Sequence, residues 1–209
     1  SGCRADKHDL KDADVARVMS AEAMLHKVAH PTLEIAGDRP TLVFASSVEQ
    51  AHGIADIFNR HVSGCAAAVD GRTDPEERRD IVRRFQNGDI QFLCNMGVFL
   101  EGFDAPICSM VAMARPTKSR SLYAQVAGRG MRPLQGLVDG LPDANARKQA
   151  VLSSTKPNML MLDFVGNSGK HKLVNTADIL GGNYSDEIID QAVKKAKAGG
   201  KPVDMKELI

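Results

Sequence analysis

Apolar residues in this chain fall into two patterns: short unbroken runs, and longer stretches in which they recur every third or fourth position. Thr41-Leu42-Val43-Phe44-Ala45 is a β-rich run of the kind a strand buried in a parallel sheet shows. Cys65 to Val69, closed by an Asp70-Gly71 turn, is a second strand. Ile90 to Asn95, Ile107 to Ala114 (halted near Pro116) and Met159 to Val165 predict the remaining three.

The helical spacing lies between these runs. Val15, Val18, Met19, Leu25 and Val28 predict a helix from about Lys11 to Ala29, ending before Pro31. Ser46-Ser47-Val48-Glu49 reads as a capping box opening a helix with Ile54, Ile57 and Phe58 on one face. Asp74-Pro75-Glu76-Glu77 starts the next, with Asp as N-cap, Pro at the first position and carboxylates near the positive dipole end. That helix buries Ile81, Val82 and Phe85 and stops at Asn87-Gly88. Ser119 to about Met131 predicts a fourth. After Val165 the chain turns Gly- and Asn-rich as far as Gly182. Ser185 then caps an amphipathic helix with Ile188, Ile189 and Val193, whose Lys194, Lys195 and Lys197 suit its C-terminal dipole.

Strand and helix alternate through short connections, which predicts an α/β fold: a parallel sheet with helices on both faces. Ligands collect at the carboxyl ends of such strands. The loops after Ala45, Val69, Asn95 and Ala114 are therefore where function is expected.

Composition narrows the class. A hydrophobic content of 43% in 209 residues indicates a globular chain, and no apolar run approaches the roughly 20 residues of a membrane span, so no membrane partner is expected. Ser1-Gly2 in place of an initiating Met leads us to expect a piece of something longer. Cys3, Cys65, Cys94 and Cys108 lack metal-ligand spacing and read as small buried hydrophobes in a reducing cytoplasm, with no metal site. The six scattered His residues receive no catalytic role.

Charge is balanced overall at +1 but not locally. No Asp or Glu occurs between Asp104 and Asp139, whereas Arg115, Lys118, Arg120, Arg129 and Arg132 do. Such a block could receive a polyanion or a nucleotide phosphate. Arg129 and Arg132, three apart on the predicted helix, would share a face and reach one phosphate together.

Three ordered segments between Pro40 and Val165 resemble the C-terminal RecA-like lobe of superfamily 2 helicases. Leu42 to Ser47 is similar to motif IV, Gly97 to Pro106 to motif V, and Tyr123 to Arg132, with its Gln-x-x-Gly-Arg-x-x-Arg pattern, to motif VI. Asp70-Gly71, Arg78, Phe85 and Gly88 resemble the segment the family places between the first two. The resemblance implies arginine fingers at Arg129 and Arg132, a nucleotide-facing Gly102 and Asp104, and Gln125 and Gly128 at a lobe interface. Asp104 would accept from a ribose hydroxyl or from the arginines themselves. Ser46, Ser47, Gly71, Arg72 and Asn95 would contact nucleic-acid phosphates.

Motif VI has Gln125-Val126 where DEAD-box proteins have His-Arg, and Cys94-Asn95 replace the Thr that often opens motif V. These departures resemble DNA helicase and translocase branches, including phage helicases and restriction-enzyme motors, rather than RNA helicases.

The other half of a motor is missing. No Gly-x-x-x-x-Gly-Lys-Ser/Thr loop occurs: at 164–171 Phe164 replaces the first Gly and His171 the hydroxyl. Asp186-Glu187 opens a helix and does not close an apolar strand, so it is no Walker-B pair.

The expected organisation is therefore a helical segment over 1–39 joining a first lobe, a RecA-like domain over 40–165 and an extension over 166–209. ATP and Mg²⁺ would be held mainly by the absent lobe, leaving this piece inactive alone. Its partners would be that N-terminal RecA-like lobe and single- or double-stranded nucleic acid, DNA by the resemblance. The alternatives are a non-catalytic nucleic-acid or protein binding module keeping the fold, and the motor portion of a restriction enzyme.

Overall fold

The computed structural model describes residues 22–97, 104–116 and 120–164. The helix expected after Val165 and the first half of the N-terminal helix lie outside them. The described elements run α1 (Glu22–Ala36), β1 (Thr41–Phe44), α2 (Val48–His61), β2 (Ala66–Val69), α3 (Pro75–Asn87), β3 (Phe92–Asn95), β4 (Met110–Met113), α4 (Arg120–Gly130), α5 (Ala144–Leu152) and β5 (Leu160–Asp163).

All five strands pair in parallel, in the order β2-β3-β1-β4-β5. Alternate residues feed opposite faces, as the period of a strand requires. Leu42, Phe44, Leu93, Val111 and Met113 point to the side covered by α3 and α4, where Ile81, Phe85, Tyr123 and Val126 meet them. Val43, Phe92, Cys94, Met110 and Ala112 point to the side covered by α1 and α2, with Ile54, Ile57 and Phe58. The expectation of helices on both faces is met. Cys94 and Cys108 are buried and free, and burial pushes the Cys108 thiol up to about 11, so both behave as small apolar fillers.

Three local expectations need correction. The first helix does not stop before Pro31 but continues to Ala36 with Pro31 inside it. Val28, Thr32 and Ala36 form a buried stripe at i, i+4, i+8, and Leu25 packs so closely on Gly53 that a Cβ there would sit 2.7 Å from its Cδ1. Burial against α2 thus offsets the hydrogen bond that Pro31 cannot donate. The α2 cap is Ser47, not Ser46: its Oγ accepts from the Gln50 N–H. The third correction is α5, which was not foreseen. It is capped by Asp143 but buries no residue, so it carries no apolar stripe to read.

The third helix follows its expected signals closely. Asp74 Oδ1 accepts from the N–H groups of Glu76 and Glu77, Pro75 sits in the first turn, and Gly88 takes the left-handed cap at φ 82°. Strands came out shorter than the apolar runs at one or both ends. Pro106 and Ile107, for example, form a turn before β4.

Candidate nucleic-acid and nucleotide edges

The parallel sheet has two distinct edges, and the residues singled out above divide between them. The carboxyl edge carries Val69, Asn95, Phe44 and Met113 side by side in register. From here β1 leads to α2 on one face and β4 to α4 on the other, the arrangement that opens a crevice between adjacent strands.

On this edge the turn after β2 faces solvent. Asp70 is buried beneath it and organises it: Oδ1 accepts from the Arg72 N–H at 2.7 Å and Oδ2 from His52 Nε2 at 3.0 Å. An ionised carboxylate only accepts, so His52 donates from Nε2. The Thr73 hydroxyl takes the Asp70 N–H, and Arg78 reaches back from α3 to donate to the Asp70 and Thr73 carbonyls. The Arg72 N–H and then the His52 contact hold the Asp70 carboxyl below its ordinary value. Gly71 and the Arg72 side chain are left exposed on a pinned turn.

Ser46, Ser47 and Asn95 sit behind that turn. Ser46 donates both its N–H and its hydroxyl to Gln50 Oε1, and the Ser47 hydroxyl is the helix cap. Asn95, 1% exposed, donates from Nδ2 to the Val43 carbonyl at 3.0 Å, while its Oδ1 has no hydrogen-bond partner among the described residues. An orphaned buried acceptor costs about 1–3 kcal/mol. The three side chains build the strand ends rather than face outward.

The arginine segment ends at the opposite edge, away from the loops after Ala45, Val69, Asn95 and Ala114. Helix α4 runs against the strands. Its first turn is tied to the carboxyl end of β5 by Tyr123 Oη donating to Asp163 Oδ2 at 2.9 Å. Its last residue, Gly130, packs on Val111 and Met159, near the amino ends of β4 and β5. The glycine required for close packing is therefore Gly130; a Cβ at Gly128 would meet nothing within 4 Å.

Arg132 is past the helix end, so it does not share a helical face with Arg129. Its Nη1 instead meets Asp104 Oδ1 at 2.7 Å, with both side chains about half exposed. Asp104 thus pairs with Arg132 across the surface of this segment. Gln86, near the end of α3, donates to the Asp104 carbonyl at 2.7 Å. Gln125 is exposed and Gly102 lies outside the described residues.

Two partners carried no signal that drew attention in the sequence. His52 is one; Lys156, which reaches the Arg132 and Pro106 carbonyls, is the other. Among the described residues no group of three or more His, Cys, Asp or Glu is placed to hold a metal ion, and no helix is long and apolar enough to cross a membrane.

A five-stranded parallel sheet covered on both faces, with an arginine segment braced at one edge, defines a RecA-like α/β lobe. The family model for the helicase conserved C-terminal domain matches residues 22–133, more than half of the chain, and the chain belongs to that family. It is similar to the Saccharomyces cerevisiae protein named "Putative ATP-dependent helicase IRC3", 34% identical over 175 residues, which are 83% of this chain and 22% of that protein. A Lactococcus phage (isolate 7-9) protein, named only as a 51.5 kDa protein, is 38% identical over 98 residues, 46% of this chain and 21% of its own. This chain thus spans about a fifth of the length of the curated relatives it matches.

Among solved structures, a fragment of "a putative HsdR subunit of a type I restriction enzyme" from Vibrio vulnificus aligns with a TM-score of 0.54. It covers 84% of this chain and 32% of that one at 19% identity, a likeness of fold alone.

Proposed function

We propose that this chain is the second motor lobe of an ATP-dependent DNA helicase or translocase, supplying arginine fingers at one edge and a nucleic-acid grip at the other. The observation that carries the reading is the solvent-facing Asp104–Arg132 pair beside Arg129, held at one edge of the sheet while the pinned 70–73 turn occupies the other. The two features lie at opposite edges, so the two proposed roles would not compete for the same surface.

ATP, when bound, supplies the anhydride bond whose hydrolysis drives the cycle. The residues here fit one wall of such a site. Arg129 and Arg132 offer guanidinium groups, always charged and able to grip phosphate oxygens in pairs, and Asp104 aims Arg132 until a more highly charged partner arrives. With no phosphate loop in the 209 residues, the triphosphate and Mg²⁺ would rest mainly on a first lobe. At the other edge, Gly71 and Arg72 would meet phosphates directly, with Ser46, Ser47 and Asn95 as the frame behind them. Contacts of that kind position a strand without reading its bases.

The test is ATP turnover, stimulated by single-stranded DNA, in the longer protein. Arg129→Ala and Arg132→Ala each should remove most of it, since an arginine finger is worth about 10³- to 10⁵-fold. Arg132→Lys should recover little, because an ammonium lacks the forked geometry. Near-normal turnover in both folded alanine variants would refute the assignment.

A further inference from the structure

We infer that Lys156 is a positioning residue for the arginine segment, holding Arg132 in register with the loop that carries Asp104. Resting on the motor-lobe reading above, it adds a residue outside the three motif segments. The observation is a buried cation that, among the described residues, meets two carbonyls and no carboxylate. Lys156 is 7% exposed, and its Nζ donates to the Pro106 carbonyl at 2.7 Å and to the Arg132 carbonyl at 2.6 Å.

Lysine is rarely buried unless paired, because taking an ammonium out of water is costly. Desolvation pulls its pKa below the ordinary lysine value, and the nearby Cys108 opposes that shift. A methionine of similar length would fill the same space at less cost. What methionine cannot do is tie two carbonyls together.

The two tied groups belong to different parts of the chain. Pro106 follows Asp104 by two residues, and Arg132 is the guanidinium that Asp104 holds. Side chain and backbone of Arg132 are therefore both fixed to the same loop, one through Asp104 and one through Lys156. The side-chain pair is half exposed and exchangeable, as an arginine that must turn to a phosphate requires. The backbone tie is buried.

Delivery of Lys156 also gives α5 a purpose. The helix contributes no buried residue, but Ser154 just beyond its end accepts the Lys156 N–H at 3.1 Å while donating to the Val151 carbonyl at 2.7 Å. The turn so formed points the lysine inward.

The experiment uses the longer protein and compares Lys156→Met, Lys156→Gln, Arg132→Ala and the Lys156→Met/Arg132→Ala double variant. The readouts are kcat and KM for ATP with saturating single-stranded DNA, alongside thermal unfolding. A misplacement near 1 Å costs about 10²-fold in rate. Lys156→Met should therefore lower kcat by about 10- to 100-fold while KM moves less than about 3-fold. Lys156→Gln, which keeps two N–H donors, should recover part of kcat.

The decisive comparison is the double variant: if Lys156 acts through Arg132, adding Lys156→Met to Arg132→Ala changes kcat no further. Additive losses, or a Lys156→Met kcat within about 2-fold of the parent, would overturn the inference while leaving the arginine assignment standing. Should Lys156→Met fail to fold, the same cycle run with Lys156→Gln decides on the same criterion. An intact kcat in Arg132→Ala alone would instead sink the motor-lobe reading on which this rests.

Discussion

Gly128 and Gly130 stand two residues apart in α4, yet a methyl group added at each should shift stability in opposite directions. At Gly128 the new Cβ meets nothing within 4 Å, so alanine brings only its better helix propensity, about 1 kcal/mol over glycine. At Gly130 the Cβ would stand 2.8 Å from Met159 Cγ and 2.9 Å from Val111 Cγ2. Met159 can swing aside. Val111 cannot: it is β-branched, fully buried and locked into the sheet, so the end of α4 must give way. Overpacking of this sort costs about 1–3 kcal/mol, and propensity returns little at a helix's last residue. For a chain of this size 1 kcal/mol moves the melting midpoint by about 2–4 °C. Thermal unfolding followed by circular dichroism should then show Gly128→Ala raised by about 2–4 °C and Gly130→Ala lowered by about 2–12 °C. Shifts of the same sign would refute the packing argument at the arginine edge. In the longer protein the stabilised Gly128→Ala variant should nevertheless hydrolyse ATP more slowly if that open position faces the first lobe.

The turn after β2 yields a pH test. Asp70 has a depressed pKa, so its contribution is fully present above the ordinary carboxylate range near pH 4 and is lost as pH falls through the depressed value. The stability difference between the parent and Asp70→Asn should accordingly be constant from pH 5 upward and shrink below about pH 4 in urea titrations; a difference that grows on acidification would contradict the assignment. His52→Ala should loosen the turn with a smaller stability loss, read as faster amide exchange at Arg72. Gln86→Ala removes the hydrogen bond that joins α3 to the Asp104 carbonyl. It should leave basal ATP turnover of the longer protein unchanged but cut DNA stimulation by about 2- to 10-fold, the value of one such bond; unchanged stimulation would exclude the link.

What the sequence shows of this fold is what local physics decides. Apolar runs bounded by turns located all five strands, and Asp74, Pro75 and Gly88 marked both ends of α3 because caps are chosen by backbone groups within a few residues. Pro31 misled for the opposite reason: its local cost is outweighed by a stripe packed on α2, which no window around the proline contains. At the site, the motif segments named Asp104 and Arg132 but not the edge on which they meet. The chain leaves β3 at Asn95 on the carboxyl edge and returns to the described structure at Asp104 on the amino edge, so the rule about carboxyl ends covers only its beginning. Lys156 was illegible because a lysine between Thr155 and Pro157 reads as loop until the carbonyls of residues 106 and 132 are brought to it.

The separation of the two edges limits how they can communicate. Four-residue strands set them about 13 Å apart, beyond the reach of any direct contact between an arginine on one and a phosphate held by the other. A loop could carry the coupling, but a flexible chain dissipates displacement along its own torsions. Helix α3 offers a stiffer route. Arg78, near its start, holds the Asp70 and Thr73 carbonyls of the exposed turn; Gln86, near its end, holds the Asp104 carbonyl. The eight residue steps from Arg78 to Gln86 rise about 12 Å, close to the width of the sheet. Ile81 and Phe85 seat the helix in the core it would have to slide across, so its motion is confined to small rigid shifts. On the proposed reading, movement of a strand against Gly71 and Arg72 would reach the Asp104–Arg132 pair through one packed helix with a hydrogen-bonded grip at each end. Removing the Gln86 grip leaves both edges chemically intact and tests that route alone.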